Sequence, residues 1–245
     1  MLFVAQGVFA QSAEDLFVKA NDEYKLEKYN EAIKTYGEIE ALGLVSSELY
    51  YNLGNCYYKL NKVAPSIYNY EKALLLNPLN EDAQNNLVFA KRLTIDNIEE
   101  LPKSVFQKID ESFVKKLSYN EWSIVSVLLS IVGAVLFLLF YFSYTPSKKR
   151  LFFVTSVLSF LLLILSSVFA IKEFSYSKTN LKAIVFSQQT EIKNAPTSNS
   201  EIVFTLHEGT EVDVLDTVDN WKKIRIADGK IGWVLSEKIK LLNFF

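Results

Sequence analysis

The residues in this 245-residue chain that could do covalent or metal chemistry are few and do not converge. Cys56 is the single cysteine and His207 the single histidine. A nucleophilic thiol needs a neighbouring cation to lower its pKa, and no His, Lys or Arg stands beside Cys56. It reads as a buried, inert thiol, and its solitude excludes an internal disulfide. His207 precedes a glycine-containing turn with no second His or Cys nearby, so neither ligation nor acid–base work follows from it. Asp213, Asp216 and Asp219 recur every third residue, a pattern that invites a cation, yet solvated strand and turn positions explain them better. The eight glycines build no phosphate loop, and G-x-S-x-G does not occur. The reading is a non-enzyme with no catalytic residue, cofactor or metal site.

The elements around these residues are of three kinds, and the charge shows it. Residues 1–121 carry 13 Lys/Arg against 18 Asp/Glu, residues 122–171 carry three basic residues and no acid, and residues 172–245 carry ten of each. A mean hydropathy of +0.13 hides this division. With 8 Gly, 5 Pro and one Cys, the composition excludes disorder, collagen and a disulfide-knotted fold. A pI near 5.6 argues against a nucleic-acid surface.

Two stretches, Trp122–Ser147 and Leu151–Ile171, hold no charged residue. A helix rising ~1.5 Å per residue needs about 20 apolar residues to cross the hydrocarbon core, and both suffice. The short connection containing Pro146 and Lys148-Lys149-Arg150 cannot hold a domain. The expectation is therefore a transmembrane hairpin over 122–171 (spans 122–142 and 151–171), with both flanks in one compartment. Lys148, Lys149 and Arg150 draw the loop 143–150 to the cytoplasm, although three lysines on each flank make the count a tie. Residues 1–12, an apolar run ending Val8-Phe9-Ala10, read either as the remnant of a secretory signal or as an apolar tail on the first helix. Together these features favour both end domains outside the cytoplasmic membrane. No ionisable group lies within either span, which argues against a proton or ion path. Ser126, Ser130 and Ala134 form a small-residue stripe suited to packing the hairpin on itself or, as the alternative, on another membrane protein.

The N-terminal block repeats with a period of 34. Asn52-Leu53 returns as Asn86-Leu87, and Asn21, Tyr24, Lys25 and Tyr36 return as Asn55, Tyr58, Lys59 and Tyr70. The unit Tyr50-Tyr51-Asn52-Leu53-Gly54-Asn55-Cys56-Tyr57, with Ser66, Tyr70, Ala73 and Pro78, resembles the tetratricopeptide repeat (TPR). The first unit, about 13–46, departs from that pattern at Lys19 and Ile39. The block 13–96 is thus expected to be an α-helical TPR array of two repeats closed by a polar-faced capping helix at about 80–94. By that resemblance Phe17, Asn21, Tyr24, Tyr51, Asn55 and Tyr58 would line a concave groove for partner segments. The alternative is that they only seal helix against helix. The lysines of a carboxylate-clamping TPR are missing from the matching positions, so capture of a free C-terminus is not expected. Residues 97–121 follow, with Val105, Ile109, Phe113 and Leu117 recurring every four residues. They read as an amphipathic juxtamembrane helix at the headgroup level, or as a continuation of the first membrane helix.

After a linker at 175–180 the period becomes two. Ala183–Phe186, Glu211–Leu215, Trp221–Ile226 and Ile231–Leu235 read as strands, and Asp228-Gly229 as a two-residue hairpin turn. Ala195-Pro196, Leu206-His207-Glu208-Gly209-Thr210, Trp221, Asp228-Gly229 and Gly232-Trp233-Val234 resemble a bacterial SH3 (SH3b) domain. The block 180–245 is expected to be a small all-β SH3-like barrel. Trp221 and Trp233 are its surface candidates, with core and rim packing as their default role.

The fold class is therefore a multi-domain membrane protein: TPR array, two-helix transmembrane hairpin, SH3-like barrel. That order of modules, from about Ala13 to Leu242, resembles the BatE-type family of the Bacteroides aerotolerance (Bat) operon. The resemblance implies partners among other Bat operon membrane proteins, including those with von Willebrand A domains, but carries no catalytic motif. Two functions follow: a membrane-anchored scaffold that holds protein partners, or a peptidoglycan-binding sensor or anchor.

Overall fold

The computed structural model describes the backbone of residues 2–99, 101–102, 104–179 and 181–242. Side chains are described from Ala13 onward, apart from residues 106, 107, 109, 111 and 176–179. The expectation of a signal remnant at 1–12, and the place of Ile109 in the amphipathic pattern, rest on side chains outside the described residues. Two compact units form, Met1–Pro102 with Asn180–Phe245, and Lys103–Thr179.

The first unit opens with five helices, α1 (Leu2–Lys25), α2 (Tyr29–Ala41), α3 (Ser47–Lys59), α4 (Val63–Leu76) and α5 (Glu81–Lys91). The 34-residue period is visible in the turns. Glu27 and Asn61 both take a left-handed conformation (φ 60° and 54°). Lys28 and Lys62 each donate their backbone N–H five residues back, to Glu23 and Tyr57, both at 2.9 Å. This is a Schellman closure used twice. The starts of α3 and α5 are also 34 residues apart: the Ser46 hydroxyl caps Leu49 N–H and the Asn80 amide oxygen caps Ala83 N–H, both at 3.0 Å. Gly54 lets α3 and α4 touch, because a Cβ there would lie 2.6 Å from the Tyr70 ring. The Ser66 hydroxyl seals that crossing by donating to the Gly54 carbonyl at 3.1 Å.

Seven antiparallel strands complete the unit: β1 (Leu181–Val185), β2 (Gln189–Lys193), β3 (Ile202–His207), β4 (Glu211–Val218), β5 (Trp221–Arg225), β6 (Ile231–Leu235) and β7 (Ile239–Leu241). Their order is β3-β2-β6-β5-β4-β1-β7. Buried residues from every strand, among them Val185, Ile192, Leu206, Val212, Ile224, Val234 and Ile239, share one cluster, so the sheet curls around its own core. Gly232 allows the close pass of β6 over β2, since a Cβ would sit 2.4 Å from Ile192 Cγ2. The β5–β6 turn corrects the sequence expectation. Ile226 N–H donates to Lys230 O across three residues, and only Gly229 (φ 89°) is left-handed, so this is a three-residue loop and not a two-residue one. The barrel core also takes Ile98, from the segment after α5.

The second unit holds α6 (Val105–Phe113), a 3-10 turn (Val114–Lys116), α7 (Tyr119–Phe142) and α8 (Pro146–Thr179). α6 does not continue into α7: Leu117 is extended, and Ser118 with Glu121 forms a reciprocal capping box that starts α7 afresh. Trp122 Nε1 donates to the Val114 carbonyl at 2.9 Å, and its ring meets Phe169 edge-on at 5.0 Å. α8 runs beyond the uncharged stretch at both ends and takes in the segment expected as a linker. Both α7 and α8 are long and apolar enough to cross a membrane, and little of either is buried. Val127, Leu128, Ile131, Leu158 and Leu161 are exposed along them, an apolar surface of the kind that a membrane or a partner covers.

Serines dominate the α7–α8 seam. Ser126 and Ser166 share a hydroxyl contact at 2.8 Å, Ser156 donates to Gly133 O at 3.2 Å, and Ser159 donates to Leu129 O at 2.9 Å. The self-packing reading of the stripe needs correction, because Ser130 and Ala134 are exposed. The α7 seam instead runs through Trp122, Ser126, Leu129, Gly133 and Leu136, spaced four and three in turn. Two helices wound round each other keep contact at every 3.5 residues, not every four.

Candidate functional site: an aromatic and amide cleft beside a docked barrel

Helices α1, α3, α4 and α5 bring aromatic and amide side chains together. Tyr24 of α1, Tyr51, Asn55, Tyr58 and Lys59 of α3, Tyr70 of α4, and Asn86 and Phe89 of α5 line a cleft of about 250 Å³. Tyr51, Asn55 and Tyr58 share one helical face by their i, i+4, i+7 spacing. Four of the six groove candidates (Tyr24, Tyr51, Asn55, Tyr58) meet here, and two lie elsewhere. Phe17 stacks edge-on against Tyr36 at 5.8 Å and borders a separate apolar hollow of about 720 Å³, with Ile39, Leu42, Leu44 and Val45.

Asn21 sits inside the array. Its Oδ1 accepts from the Tyr36 hydroxyl at 2.6 Å and from Asn52 Nδ2 at 3.0 Å. Asn55 repeats this one period later: Oδ1 accepts from the Tyr70 hydroxyl at 2.7 Å and from Asn86 Nδ2 at 2.8 Å. Both amide oxygens are thus committed to holding helices together. Neither Asn21 nor Asn55 uses its amide N–H groups in a bond among the described residues, so the Asn55 amide retains donors for a ligand. The sequence signal for this motif was the Tyr fifteen residues and the Asn thirty-one residues after each Asn.

Burial pushes the hydroxyls of Tyr36 and Tyr70 far above the ordinary tyrosine range, and that of Tyr24 above it too. The cleft therefore offers neutral phenols and amides, with Lys59 its only cation. Such a surface suits the backbone of an extended, uncharged peptide segment more than an ionic group. Cys56 is fully buried, and burial pushes its thiol up to about 12, so it is neither nucleophile nor ligand at neutral pH.

A second polar cluster was not legible in the sequence. Lys72, only 6 % exposed, donates to the Tyr50 hydroxyl at 2.7 Å and to Glu40 Oε1 at 3.0 Å, with its ammonium 3.9 Å from the centre of the Tyr50 ring. Burial lowers its pKa, against the pull of Glu40.

On the barrel, the β5–β6 register pairs Trp221 with Leu235 and Lys223 with Trp233. These four side chains share the face opposite Ile224 and Val234, which belong to the core. Trp221 is 7 % exposed and floors a cleft of about 450 Å³ with Gln189, Thr190, Glu191, Lys193, Leu235 and Lys238. Trp233 is half-buried and lies outside that cleft, with the Lys223 ammonium 6.0 Å from its ring. The three aspartates do not converge: Asp213 pairs with Arg225 at 3.0 Å, Asp216 accepts from Thr217 N–H at 2.7 Å, and Asp219 occupies a left-handed turn. Among the described residues no group of three His, Cys, Asp or Glu could hold a metal ion.

His207 proves to have a partner. Asp96 Oδ1 lies 2.7 Å from His207 Nδ1, while Asp96 Oδ2 accepts from His207 N–H at 2.7 Å and from the Thr210 hydroxyl at 2.6 Å. Burial raises the Asp96 carboxyl, but these bonds outweigh it and hold it below the usual range. A charge relay lies nearby. Lys91 Nζ bridges Glu71 at 2.7 Å and Glu211 at 2.8 Å, and Glu211 also pairs with Lys182. Burial and Glu211 raise the Glu71 carboxyl against the pull of Lys91. Glu211 is held low by Lys182 and Lys91 in spite of its own burial.

Fold and clefts together define a protein of two interaction modules and two helices of membrane-spanning length. Residues 47–80 match the tetratricopeptide repeat family, and residues 190–240 match the bacterial SH3 domain family. No curated protein matches the chain. Repeats and SH3 domains of these kinds are typically non-catalytic, serving protein–protein interaction or peptidoglycan binding.

Proposed function

We propose that the chain is a non-enzymatic, membrane-anchored scaffold of the BatE type, with both interaction modules on the outer face of the inner membrane and loop 143–150 in the cytoplasm. Its partners on this reading are other Bat operon membrane proteins with von Willebrand A domains, held through the Tyr24–Tyr51–Asn55–Tyr58 cleft and the barrel. One observation carries it. Residues before and after the hairpin belong to a single unit, joined by the Lys91–Glu211 and Asp96–His207 pairs, and this supports two modules in one compartment acting at one surface.

Buried Cys56 leaves a silent background for topology mapping. Single cysteines at Asn30, Ser147 and Asn199, all exposed positions, are treated with a membrane-impermeant maleimide in intact and lysed cells. Labelling of Asn30 and Asn199 sites in intact cells, with Ser147 labelled only after lysis, supports the outer-face reading. The inverse pattern removes both it and any wall ligand. A photo-crosslinking amino acid at Tyr58 then tests the partner: an adduct with a von Willebrand A protein is expected, and its absence when both proteins are co-expressed counts against the scaffold.

A second reading, a peptidoglycan sensor or anchor, draws on the Trp221 cleft, whose Lys193 and Lys238 suit the carboxylates of wall peptides. Full-length protein that sediments with purified cell wall, and stops doing so as Lys193→Glu, favours it.

A further inference from the structure

α5 is an 11-residue helix, too short to persist in water without packing. One side of it faces the cleft: Asn86 Nδ2 donates to Asn55 Oδ1 at 2.8 Å, and Phe89 lines the wall. The other side is buried. Leu87 and Ala90 share a cluster with Ala64, Ile67 and Tyr70 of α4 and with Ile184 and Leu242 of the barrel. One period earlier the equivalent residues, Leu53 and Cys56, are buried in a cluster with Ala73 of α4, the second helix of their pair. Among the described residues no such helix packs after α5, and the barrel supplies apolar surface in its place.

The docking is specific. Tyr68 donates its hydroxyl to the Leu241 carbonyl at 3.2 Å and meets Phe186 edge-on at 5.6 Å. Lys91, at the end of α5, reaches Glu211 of β4, and Asp96 fastens the turn 207–210. Gly209 (φ 87°) brings that turn against the helices so closely that a Cβ would stand 2.8 Å from Thr94 and 3.0 Å from Val63.

We infer that the barrel completes the helical cleft, holding α5 in place as its third wall, so that the cleft is formed only while the barrel is docked. Leu87, Ala90 and Lys91 are positioning residues for Asn86 and Phe89. A ligand that contacts Asn86 or Phe89 binds the docked form alone, and by linkage it tightens docking to the same degree. This rests on the cleft being a partner site for its use, but not for its mechanics.

Hydrogen exchange on the full chain in detergent micelles tests the mechanics with no ligand. Two substitutions loosen the dock from different sides: Leu242→Ala truncates a barrel side chain in the cluster shared with α4 and α5, and Asp96→Ala removes the staple. In both, the bonded amides of α5 are expected to exchange about tenfold or more faster, while those of α3 and of the β5–β6 ladder keep their rates. Unchanged α5 rates in both variants overturn the inference. So does equal loss in all three elements, which would mean that the docked surfaces act only through global stability. A cleft with no protein partner but a selectively loosened α5 sinks the scaffold reading and leaves this one standing; a proven partner with an indifferent α5 does the opposite.

Discussion

Replacing Lys91 by Met removes the ammonium from the centre of the charge relay while keeping much of the side chain's bulk. Glu71 and Glu211 hold oxygens 2.7 and 2.8 Å from that one nitrogen, so those oxygens are at most 5.5 Å apart. Two unit charges at that distance repel by about 3 kcal/mol at an effective dielectric near 20, and by under ~1 kcal/mol in bulk water. Severing a fully buried pair costs ~3–5 kcal/mol. Lys91 keeps 42 % of its side-chain surface in solvent, and Lys182 remains beside Glu211, so the cost falls below that range. A loss of about 2 kcal/mol is expected near pH 8, which lowers the unfolding midpoint of a unit this size by roughly 4–8 °C.

The sign of the pH dependence distinguishes this from lost packing. Glu71 already binds its proton more readily in the folded state than a free glutamate does, through burial and the Glu211 charge. Without Lys91 it does so more strongly still. A carboxyl raised on folding destabilises above its folded pKa, and the penalty disappears as pH falls through that value. The gap between variant and wild type is therefore expected to narrow from pH 8 to pH 5. The wild type keeps the contribution of Glu211 over this window, since that carboxyl lies below the ordinary range and is lost only in stronger acid. Thermal unfolding of the full chain in detergent, followed by tryptophan fluorescence, reads both numbers. A gap that stays constant with pH, or is under ~0.5 kcal/mol at pH 8, refutes an electrostatic dock.

Asn55→Ala takes the acceptor from the Tyr70 hydroxyl and from Asn86 at once, and should cost ~1–3 kcal/mol in urea unfolding. Asn21→Ala should cost the same within ~1 kcal/mol, since Tyr36 and Asn52 repeat the geometry; a null effect at either would remove the Asn–Tyr–Asn motif as a structural element. Gly232→Ala should destabilise the barrel by ~1–3 kcal/mol or more through the overlap with Ile192 and Lys193 O. Gly37→Ala, with nothing within 4 Å of its new Cβ, should instead be neutral or stabilise α2 by up to ~1 kcal/mol.

The features legible in the sequence were those made of neighbours in the chain. A repeat announces itself because Asn21, Tyr24 and Tyr36 return at one spacing, and a membrane-length helix because charge is missing from more than twenty consecutive positions. Strand β6 alternates in burial and β5 is marked by Trp221 and Ile224, but β2, which reads Gln189-Thr190-Glu191-Ile192-Lys193, buries only Thr190 and Ile192 and carries too little apolar signal to stand out. The docking of barrel on helices was illegible for a different reason. Lys91 meets Glu211 across 120 positions and Asp96 meets His207 across 111, and no local pattern records such a pairing. The same blindness affected the site. The repeat resemblance places Asn55 in the groove, while its amide oxygen is taken by a tyrosine and an asparagine from two other helices.

That long-range pairing makes the membrane hairpin an insertion within a folded unit. Ordinarily a closed excursion of this length carries an entropic cost that grows with the logarithm of its length. Here the excursion is stiff. α7 and α8 are antiparallel and joined through Ser143–Thr145, and their seam of serines and Gly133 holds them together, so the chain comes back toward its starting end instead of wandering. If both helices cross a membrane, as proposed, two crossings return the chain to the side it left, which one or three crossings could not do. On that reading, losing either apolar helix would place Glu211 and His207 on the opposite side from Lys91 and Asp96, and the barrel could not dock on α5.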